Sequence, residues 1–177
     1  ELGLAQATRR LLRRSGTDVY ASFEAEWEPR RYLADYYRAV EPDERHTIAF
    51  LVRTARALPP GQHVLVFGAG PTLHHVFPFV DRASAIDLSD FLPGNLREIE
   101  RWIAGEPGAH DWRPFVRHAL ACAGAPTDDA AVAEHEVRTR ERIGRLLPSD
   151  LRHAEPLGPG AAAYDVVVTA YLLISVE

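Results

Sequence analysis

The most constraining feature of the sequence is an apolar run that breaks abruptly into a glycine turn. It reads Val64-Leu65-Val66-Phe67-Gly68-Ala69-Gly70-Pro71-Thr72. A short β-branched run before Gly-x-Gly predicts a buried strand that turns sharply into a helix, whose free N–H groups point at a ligand. Glycine permits the tight turn, and Pro71 suits the first helical position because it lacks an N–H. We therefore expect a ligand site at Gly68 to Thr72 and a helix from about Pro71 to Phe79.

An acidic residue stands at the distance that such a turn requires. Asp87 comes nineteen residues after Gly68 and directly follows a second short apolar run, Ala83 to Ile86. Folds with a glycine turn of this kind use an acidic residue at the end of the second strand to bind ribose hydroxyls. The two features together predict a site for a nucleotide or nucleoside.

Strands and helices alternate along the chain. Helices are predicted where apolar residues recur every three or four positions, and strands where short β-branched runs stand between glycine and proline signals. The other predicted elements are helices from Pro42 to Leu58, from Leu92 to Ile103, after Asp111 and from Thr127 to about Ile143, and strands at Arg145–Asp150 and Tyr164–Ala170. This order predicts an α/β fold, a Rossmann-like doubly wound, mostly parallel sheet. Ligands bind beyond the carboxyl ends of such strands, where we expect Asp150 and Thr169.

Length, charge and composition limit the class of protein. The 177 residues fit one domain, with a helical lid or cap region over residues 1–60 and a Rossmann-like core over residues 61–177. A net charge of −5 offers no basic field for nucleic acid. No run approaches the roughly 18 apolar residues that span a bilayer. A single cysteine favours the reducing cytoplasm, and the histidine spacing predicts no metal site.

Two residue types are absent, and the first residues form an amphipathic pattern. All 20 basic residues are arginine, which is typical of a GC-rich, bacterial coding sequence, and methionine is absent as well. The missing methionine leaves open whether the written sequence is continuous.

Apolar residues between Leu4 and Leu12 recur at helical spacing opposite several arginines. This pattern predicts a short terminal helix with a solvated face; a membrane-surface or anionic-partner helix is the alternative.

The details of the turn favour one kind of nucleotide. A dinucleotide site needs a third glycine for close helix packing, and this sequence has Leu73 there. Pro71 removes one N–H, which weakens pyrophosphate binding but not the binding of a single carboxylate near Thr72. A nucleoside with a carboxylate tail fits better, and S-adenosylmethionine has that shape, with a sulfonium that tyrosine faces attract. An NAD-dependent oxidoreductase stays the less favoured alternative.

Several longer motifs carry a family resemblance. They are Tyr32-Leu33-x-x-Tyr36-Tyr37, Gly68-Ala69-Gly70-Pro71-Thr72, Asp87, Asn95-Leu96-Arg97-Glu98-Ile99-Glu100-Arg101-Trp102, Glu106-Pro107-Gly108-Ala109-His110-Asp111-Trp112 and Glu155-Pro156-Leu157-Gly158. With these motifs the chain from about Tyr32 to Tyr171 resembles the nicotinamide, phenylethanolamine and thioether methyltransferase family of class I S-adenosylmethionine-dependent enzymes. The resemblance implies transfer of a methyl group to a small molecule, an amine nitrogen above all, with S-adenosylhomocysteine as product.

The resemblance also implies roles for individual residues. The tyrosine motif would cover the cofactor, Thr72 would bind the methionyl carboxylate, Asp87 and Asn95 the ribose, and Asp150 with Leu151 the adenine. Tyr32 would border the acceptor and is the catalytic candidate. The complete set of expected cofactor contacts is Tyr32, Tyr37, Gly68, Ala69, Gly70, Thr72, Asp87, Leu88, Asn95, Asp150, Leu151 and Thr169.

The chain departs from the family pattern in two places. The segment Phe91 to Gly94 makes the spacing from Asp87 to Asn95 about three residues longer than usual. Family members also continue for several strands beyond Thr169, whereas this sequence stops at Glu177. We therefore expect a fold that is incomplete at its C-terminus, completed by further strands or by another chain. A truncated or degenerate relative that binds cofactor without acceptor chemistry is the main alternative function.

Overall fold

The protein alternates helices and parallel strands, as the sequence predicts. The computed structural model describes residues 27–159 and 161–170, so the amphipathic stretch at Leu4 to Leu12 lies outside the described residues. The elements in chain order are α1 (Pro29–Tyr36), α2 (Pro42–Ala57), β1 (Gln62–Phe67), a 3-10 helix (Phe77–Phe79), β2 (Ala83–Asp90), α3 (Pro93–Ile103), α4 (Arg113–Ala123), α5 (Asp129–Arg142), β3 (Ile143–Pro148) and β4 (Val166–Val168).

The four strands form one parallel sheet in the order β3-β2-β1-β4, flanked by helices. This confirms the α/β, Rossmann-like prediction. From β1 the chain first moves outward to β2 and β3, and then it returns to place β4 on the other side of β1. The connections therefore diverge between β1 and β4, which is where open α/β sheets form a crevice at the carboxyl ends of their strands. The turn after β1 opens at this point.

One face of the sheet supplies the main hydrophobic core. Val64 and Val66 of β1 and Ile86 and Leu88 of β2 alternate with residues that point to the other face, and all four are almost fully buried. The helices bring large apolar side chains against them, among them Ile48, Val52, Phe77, Ile99, Trp102 and Phe115. Each such buried side chain contributes about 1.5–3 kcal/mol of transfer free energy, so this layer fixes which residues of β1 and β2 point to the core and which, such as Leu65 and Asp87, point to the other face of the sheet.

The helix predicted from Pro71 to Phe79 is absent, and that prediction is wrong. Successive three-residue turns occupy the segment, followed by the 3-10 helix, with Val76 N–H bonded to the Leu73 carbonyl and Phe79 N–H to the Val76 carbonyl. Pro78 explains the difference, because proline inside an α-helix removes one bond and clashes with the carbonyl four residues earlier. The turn after β1 thus opens into a compact, tightly turned segment.

Strand β2 is longer at its carboxyl end than the sequence predicts. The apolar run ends at Ile86, but the strand continues to Asp90, which pairs with Pro148 of β3. Asp87 consequently lies inside the strand, opposite Leu65 of β1, and not at its end. Within the described part of the chain, no helix has the length and apolar character needed to cross a membrane.

Candidate functional site

The turn after β1 is fastened to the end of β2. Gly68 and Gly70 adopt left-handed backbone conformations, with φ of 68° and 61°, which only glycine enters at little cost. The Ala69 N–H donates a hydrogen bond of 2.9 Å to the Ser89 carbonyl. These two glycines therefore allow the backbone to turn back across the carboxyl ends of both strands.

Asp90 is the acidic residue at this edge. Its Oδ2 accepts the Gly70 N–H at 2.7 Å. Its Oδ1 accepts the Leu92 N–H at 2.8 Å and the Asn95 side-chain amide at 2.9 Å. A carboxylate offers about four acceptor positions, so these three donors leave one position on Oδ2 for another hydrogen bond. Asp90 thus connects the turn to α3 and can still bind a hydroxyl.

Asn95 continues the polar row toward the N-terminal aromatic residues. Its Oδ1 accepts the Trp27 indole N–H at 2.7 Å, across 68 positions of sequence. The Trp27 ring lies 4.8 Å from the Tyr32 ring, and the Tyr32 ring lies 5.6 Å from the Tyr37 ring. Tyr37 in turn packs 5.2 Å from the ring of His74, just after the glycine turn. These contacts close a rim that runs from the turn through Asp90, Asn95 and the tyrosines back to the turn.

Beside this rim two adjacent histidines are almost fully buried. Their ring centroids are 3.8 Å apart, and neither His74 Nδ1 nor His75 Nε2 has a hydrogen-bond partner among the described residues. Burial lowers the pKa of His74 well below its usual value, with a further contribution from the neighbouring His75. Burial alone lowers the pKa of His75 to about 4. Both rings are therefore neutral at pH 7, so they add no positive charge behind the rim.

Thr72 lies at the turn, but its hydroxyl proton is already used. The hydroxyl donates a 2.8 Å hydrogen bond to the Ala69 carbonyl. The Thr72 N–H points to the same carbonyl at 3.4 Å, beyond the normal range for such a bond. The backbone N–H is therefore more available to an external carboxylate than the side chain is.

Asp150 lies beside Asp90, two residues beyond the end of β3. The Ser149 N–H donates to the Asp90 carbonyl at 3.0 Å, which joins the ends of the two strands. Hydrogen bonds from the side chain and the backbone of Arg152 lower the pKa of Asp150 to about 2, so it is ionised. Leu151 next to it is 40% exposed, and so is Phe91, which directly follows Asp90. The edge therefore carries a carboxylate and two accessible apolar side chains.

Asp87 is committed to other groups. Its Oδ1 accepts the Arg145 N–H at 2.8 Å, and its Oδ2 lies 2.7 Å from Arg145 Nη2, 2.9 Å from the Tyr164 hydroxyl and 3.1 Å from His63 Nε2. Burial opposes its ionisation, but the Arg145 and Tyr164 hydrogen bonds outweigh burial and hold the pKa of Asp87 below its usual value. With the Arg145 Nε at 3.0 Å, four groups contact Oδ2, and the side chain is only 2% exposed, so an external hydroxyl has no access to this carboxylate.

The structure thus brings most of the predicted residues to one edge and separates two of them from it. Asp87 lies three residues before the end of its strand, and Leu88 is fully buried in the core. Thr169 directly follows β4, beside the end of β1. The other predicted residues lie in the glycine turn, in the rim that contacts it, or just after β3 and β4, and they are Tyr32, Tyr37, Gly68, Ala69, Gly70, Thr72, Asn95, Asp150, Leu151 and Thr169.

Three residues at the edge were missed from sequence, namely Trp27, Asp90 and Phe91. For Asp90 a signal was available. The spacing from Asp87 to Asn95 is about three residues longer than the family pattern, and Asp90 comes three residues after Asp87. The spacing from Asp90 to Asn95 therefore matches the pattern. Trp27 makes its contact to Asn95 over a long sequence separation, which no local pattern indicates.

A family model and individual relatives both match this chain, and they point to the same family. The sequence model described as the NNMT/PNMT/TEMT family matches residues 17–176. Indolethylamine N-methyltransferase of Mus musculus is 31% identical over 143 residues, which cover 77% of this chain and 53% of that protein. Phenylethanolamine N-methyltransferase of Homo sapiens is 29% identical over 175 residues, covering 92% of this chain and 60% of that protein. Nicotinamide N-methyltransferase of Sus scrofa is 27% identical over 151 residues, covering 81% and 56%. The chain therefore spans between half and two thirds of the length of these relatives.

Proposed function

Because the chain belongs to the NNMT/PNMT/TEMT family, whose methyl donor is S-adenosylmethionine, we propose that this protein transfers a methyl group from that cofactor to a small molecule. The proposed acceptor is an amine nitrogen, since the relatives carry names of N-methyltransferases that act on indolethylamine, phenylethanolamine and nicotinamide. The arrangement of Asp90 is the observation that supports this function best.

We assign the ribose to Asp90 in place of Asp87. Asp90 lies at the end of β2, is bonded to the glycine turn and to Asn95, and keeps one acceptor position for a hydroxyl. Asp87 has five donors around its two oxygens and lies inside the strand. A ribose hydroxyl needs a free acceptor, so Asp90 fits the cofactor and Asp87 does not.

The other parts of the cofactor fit the groups around Asp90. Adenine is assigned to Asp150 and Leu151, with Phe91 as a third side, because a carboxylate can accept the 6-amino group between apolar faces. The methionyl carboxylate is assigned to the turn, where the Thr72 N–H is only weakly bonded. The sulfonium is assigned to the tyrosine side of the rim, since aromatic faces attract a cation.

The bound cofactor would supply a methyl group that its sulfonium already activates. The residues of the chain then have to orient the two reactants and exclude water. Tyr32 borders the acceptor in this proposal, because its ring lies between those of Trp27 and Tyr37 and is only partly buried. The lid or cap region is proposed for residues 1–60. Within its described part, the Trp27 to Asn95 hydrogen bond supports this for the residues before α2, whereas Ile48 and Val52 of α2 belong to the core.

Titration calorimetry with adenosine and with S-adenosylmethionine tests the site. Asp90→Asn should weaken both by about ten- to hundredfold, the range for a lost hydrogen bond to a charged group. Asp87→Asn serves as the matched control, and we expect the affinity of its folded form to be unchanged. Equal losses in the two variants, or a loss in Asp87→Asn alone, would contradict the assignment.

A ligand variant separates a lost contact from a distorted loop. 2′,3′-Dideoxyadenosine lacks the 2′ and 3′ hydroxyls that Asp90 would bind, so wild type and Asp90→Asn should bind it with similar affinity. If the dideoxy compound shows the same loss as adenosine, Asp90 acts by shaping the turn. The acceptor is tested separately by incubating a panel of primary amines with methyl-labelled cofactor; absence of any labelled amine would contradict the proposed N-methylation.

A further inference from the structure

Arg152 occupies both groups that the proposed function assigns to adenine. Its Nη2 lies 2.7 Å from Asp150 Oδ2, and its Nε lies 2.9 Å from Asp150 Oδ1. The guanidinium carbon lies 4.8 Å from the centre of the Phe91 ring, over its face. One side chain thus covers the carboxylate that would accept the adenine 6-amino group and the ring on which adenine would pack.

Arg152 takes up most of the hydrogen-bonding capacity of the Asp150 carboxylate. Oδ1 accepts the Arg152 backbone N–H and Nε, both at 2.9 Å. Oδ2 is contacted by Nε at 3.1 Å and Nη2 at 2.7 Å, with His153 Nε2 at 3.5 Å. Because the one Nε–H is shared between both oxygens, three N–H groups of Arg152 use three of the roughly four acceptor positions of the carboxylate, and His153 Nε2 is the group next to the remaining one on Oδ2. An adenine base that packs on Phe91 and donates to Asp150 therefore has to compete with the Arg152 guanidinium for both groups.

We propose that Arg152 sets the affinity of the adenine subsite by competing with the nucleobase for Asp150 and Phe91. This inference rests on the proposed function and names a residue that limits binding at that site. Displacement is feasible because the Arg152 side chain is 66% exposed, so water can take over its hydrogen bonds. An exposed ion pair of this kind is weak, so the competition should change affinity by a small factor and not abolish binding.

The chain provides a matched control at Asp111 and Arg113. Arg113 has the same sequence separation from its carboxylate, and its N–H, Nε and Nη2 lie 3.1, 2.8 and 2.9 Å from the Asp111 oxygens. Its side chain is 64% exposed. Arg113→Gln therefore removes a local ion pair of the same spacing and similar geometry, on a carboxylate that is 55% exposed against 20% for Asp150, at a position to which no cofactor contact is assigned.

The test measures adenosine affinity by calorimetry for wild type, Arg152→Gln and Arg113→Gln. Adenosine is uncharged, so salt acts on the ion pair and not on the ligand. At 0.05 M salt we expect Arg152→Gln to bind adenosine about two- to fivefold more tightly than wild type, and Arg113→Gln to equal wild type. The gain should shrink at about 0.5 M salt, where screening weakens the pair in wild type. Purine riboside, which lacks the 6-amino group, should show a smaller gain.

Two outcomes would overturn the inference while leaving the proposed function intact. Weaker adenosine binding by Arg152→Gln would mean that the guanidinium stays and supports the base. An equal gain in Arg152→Gln and Arg113→Gln would mean that the effect is a general change in charge. If none of the three proteins binds adenosine, while all three unfold cooperatively, the proposed function itself fails and this inference fails with it.

Discussion

Gly144→Ala is the sharpest test of the structural role of Asp87. The pairing of β2 with β3 is irregular here, because Asp87 alone stands opposite Gly144 and Arg145 between the pairs Ile86–Ile143 and Leu88–Leu146. The extra residue on β3 directs the Arg145 N–H at the carboxylate. A Cβ placed on Gly144 would lie 2.7 Å from Asp87 Oδ1, closer than such atoms approach in proteins.

The expected cost follows from how little Asp87 can move. The residue is 1% exposed, and its carboxylate is held by groups from β1, from β3 and from the segment before β4. Overpacking in such a site costs about 1–3 kcal/mol. Displacing Oδ1 would also break the 2.8 Å hydrogen bond from Arg145 N–H, which adds about 1 kcal/mol. We expect a loss of about 2–4 kcal/mol, or roughly 5–15 °C in Tm for a chain of this size.

Urea unfolding of four proteins measures this cost and its cause. They are wild type, Gly144→Ala, Asp87→Ala and the double variant. Removing the carboxylate removes the clash, so Gly144→Ala should cost less than about 0.5 kcal/mol when Asp87 is already alanine. If Gly144→Ala costs the same in both backgrounds, or is neutral in wild type, the carboxylate is not held against β3 and the reasoning is refuted.

Two further predictions concern stability. His75 has a pKa of about 4 in the folded protein against 6.5 in the unfolded chain, so its contribution is complete above pH 6.5 and is lost as pH falls to about 4. That contribution is about 3 kcal/mol. In urea unfolding at several pH values, the unfolding free energy of His75→Gln should therefore fall less steeply with decreasing pH than that of wild type, and identical slopes would contradict burial as the cause. Asp128→Ala should lower the unfolding free energy by about 1 kcal/mol, because the Asp128 carboxylate accepts the Ala131 N–H at 3.0 Å as the N-cap of α5, whereas Asp128→Asn should retain most of it.

The first strand and its turn could be predicted because their signals are local. The apolar run Val64 to Phe67 forms most of β1, and the glycines after it take the left-handed conformations that the turn needs. A central strand of a parallel sheet has its side chains buried on both faces, which favours such an apolar run, and the conformational freedom of glycine permits the turn. The parallel sheet followed from alternation along the chain, and Asp150 lies close to the carboxyl end of β3 as predicted from the same pattern.

The end of β2 could not be predicted from its own residues. A carboxylate inside a buried strand breaks the apolar pattern, and so Asp87 marks an apparent strand end. The groups that permit it are Arg145, Tyr164 and His63, which lie 58, 77 and 24 positions away in sequence. Only the assembled sheet brings these donors together. A short stretch of sequence around Asp87 therefore shows neither that its charge is buried nor that hydrogen bonds offset the cost of burying it.

The spacing between Asp87 and Asn95 distinguishes the two assignments of the ribose-binding residue, Asp87 and Asp90. An excess of about three residues before Asn95 means either that a loop is inserted after Asp87 or that the ribose-binding residue lies about three positions later in the sequence. An insertion would leave the chain between Asp87 and Asn95 outside the sheet. Instead Ser89 pairs with Leu147 and Asp90 with Pro148, and α3 begins two residues after Phe91. The three additional residues are therefore part of β2 and not of an inserted loop. The acidic residue at the end of this strand is Asp90.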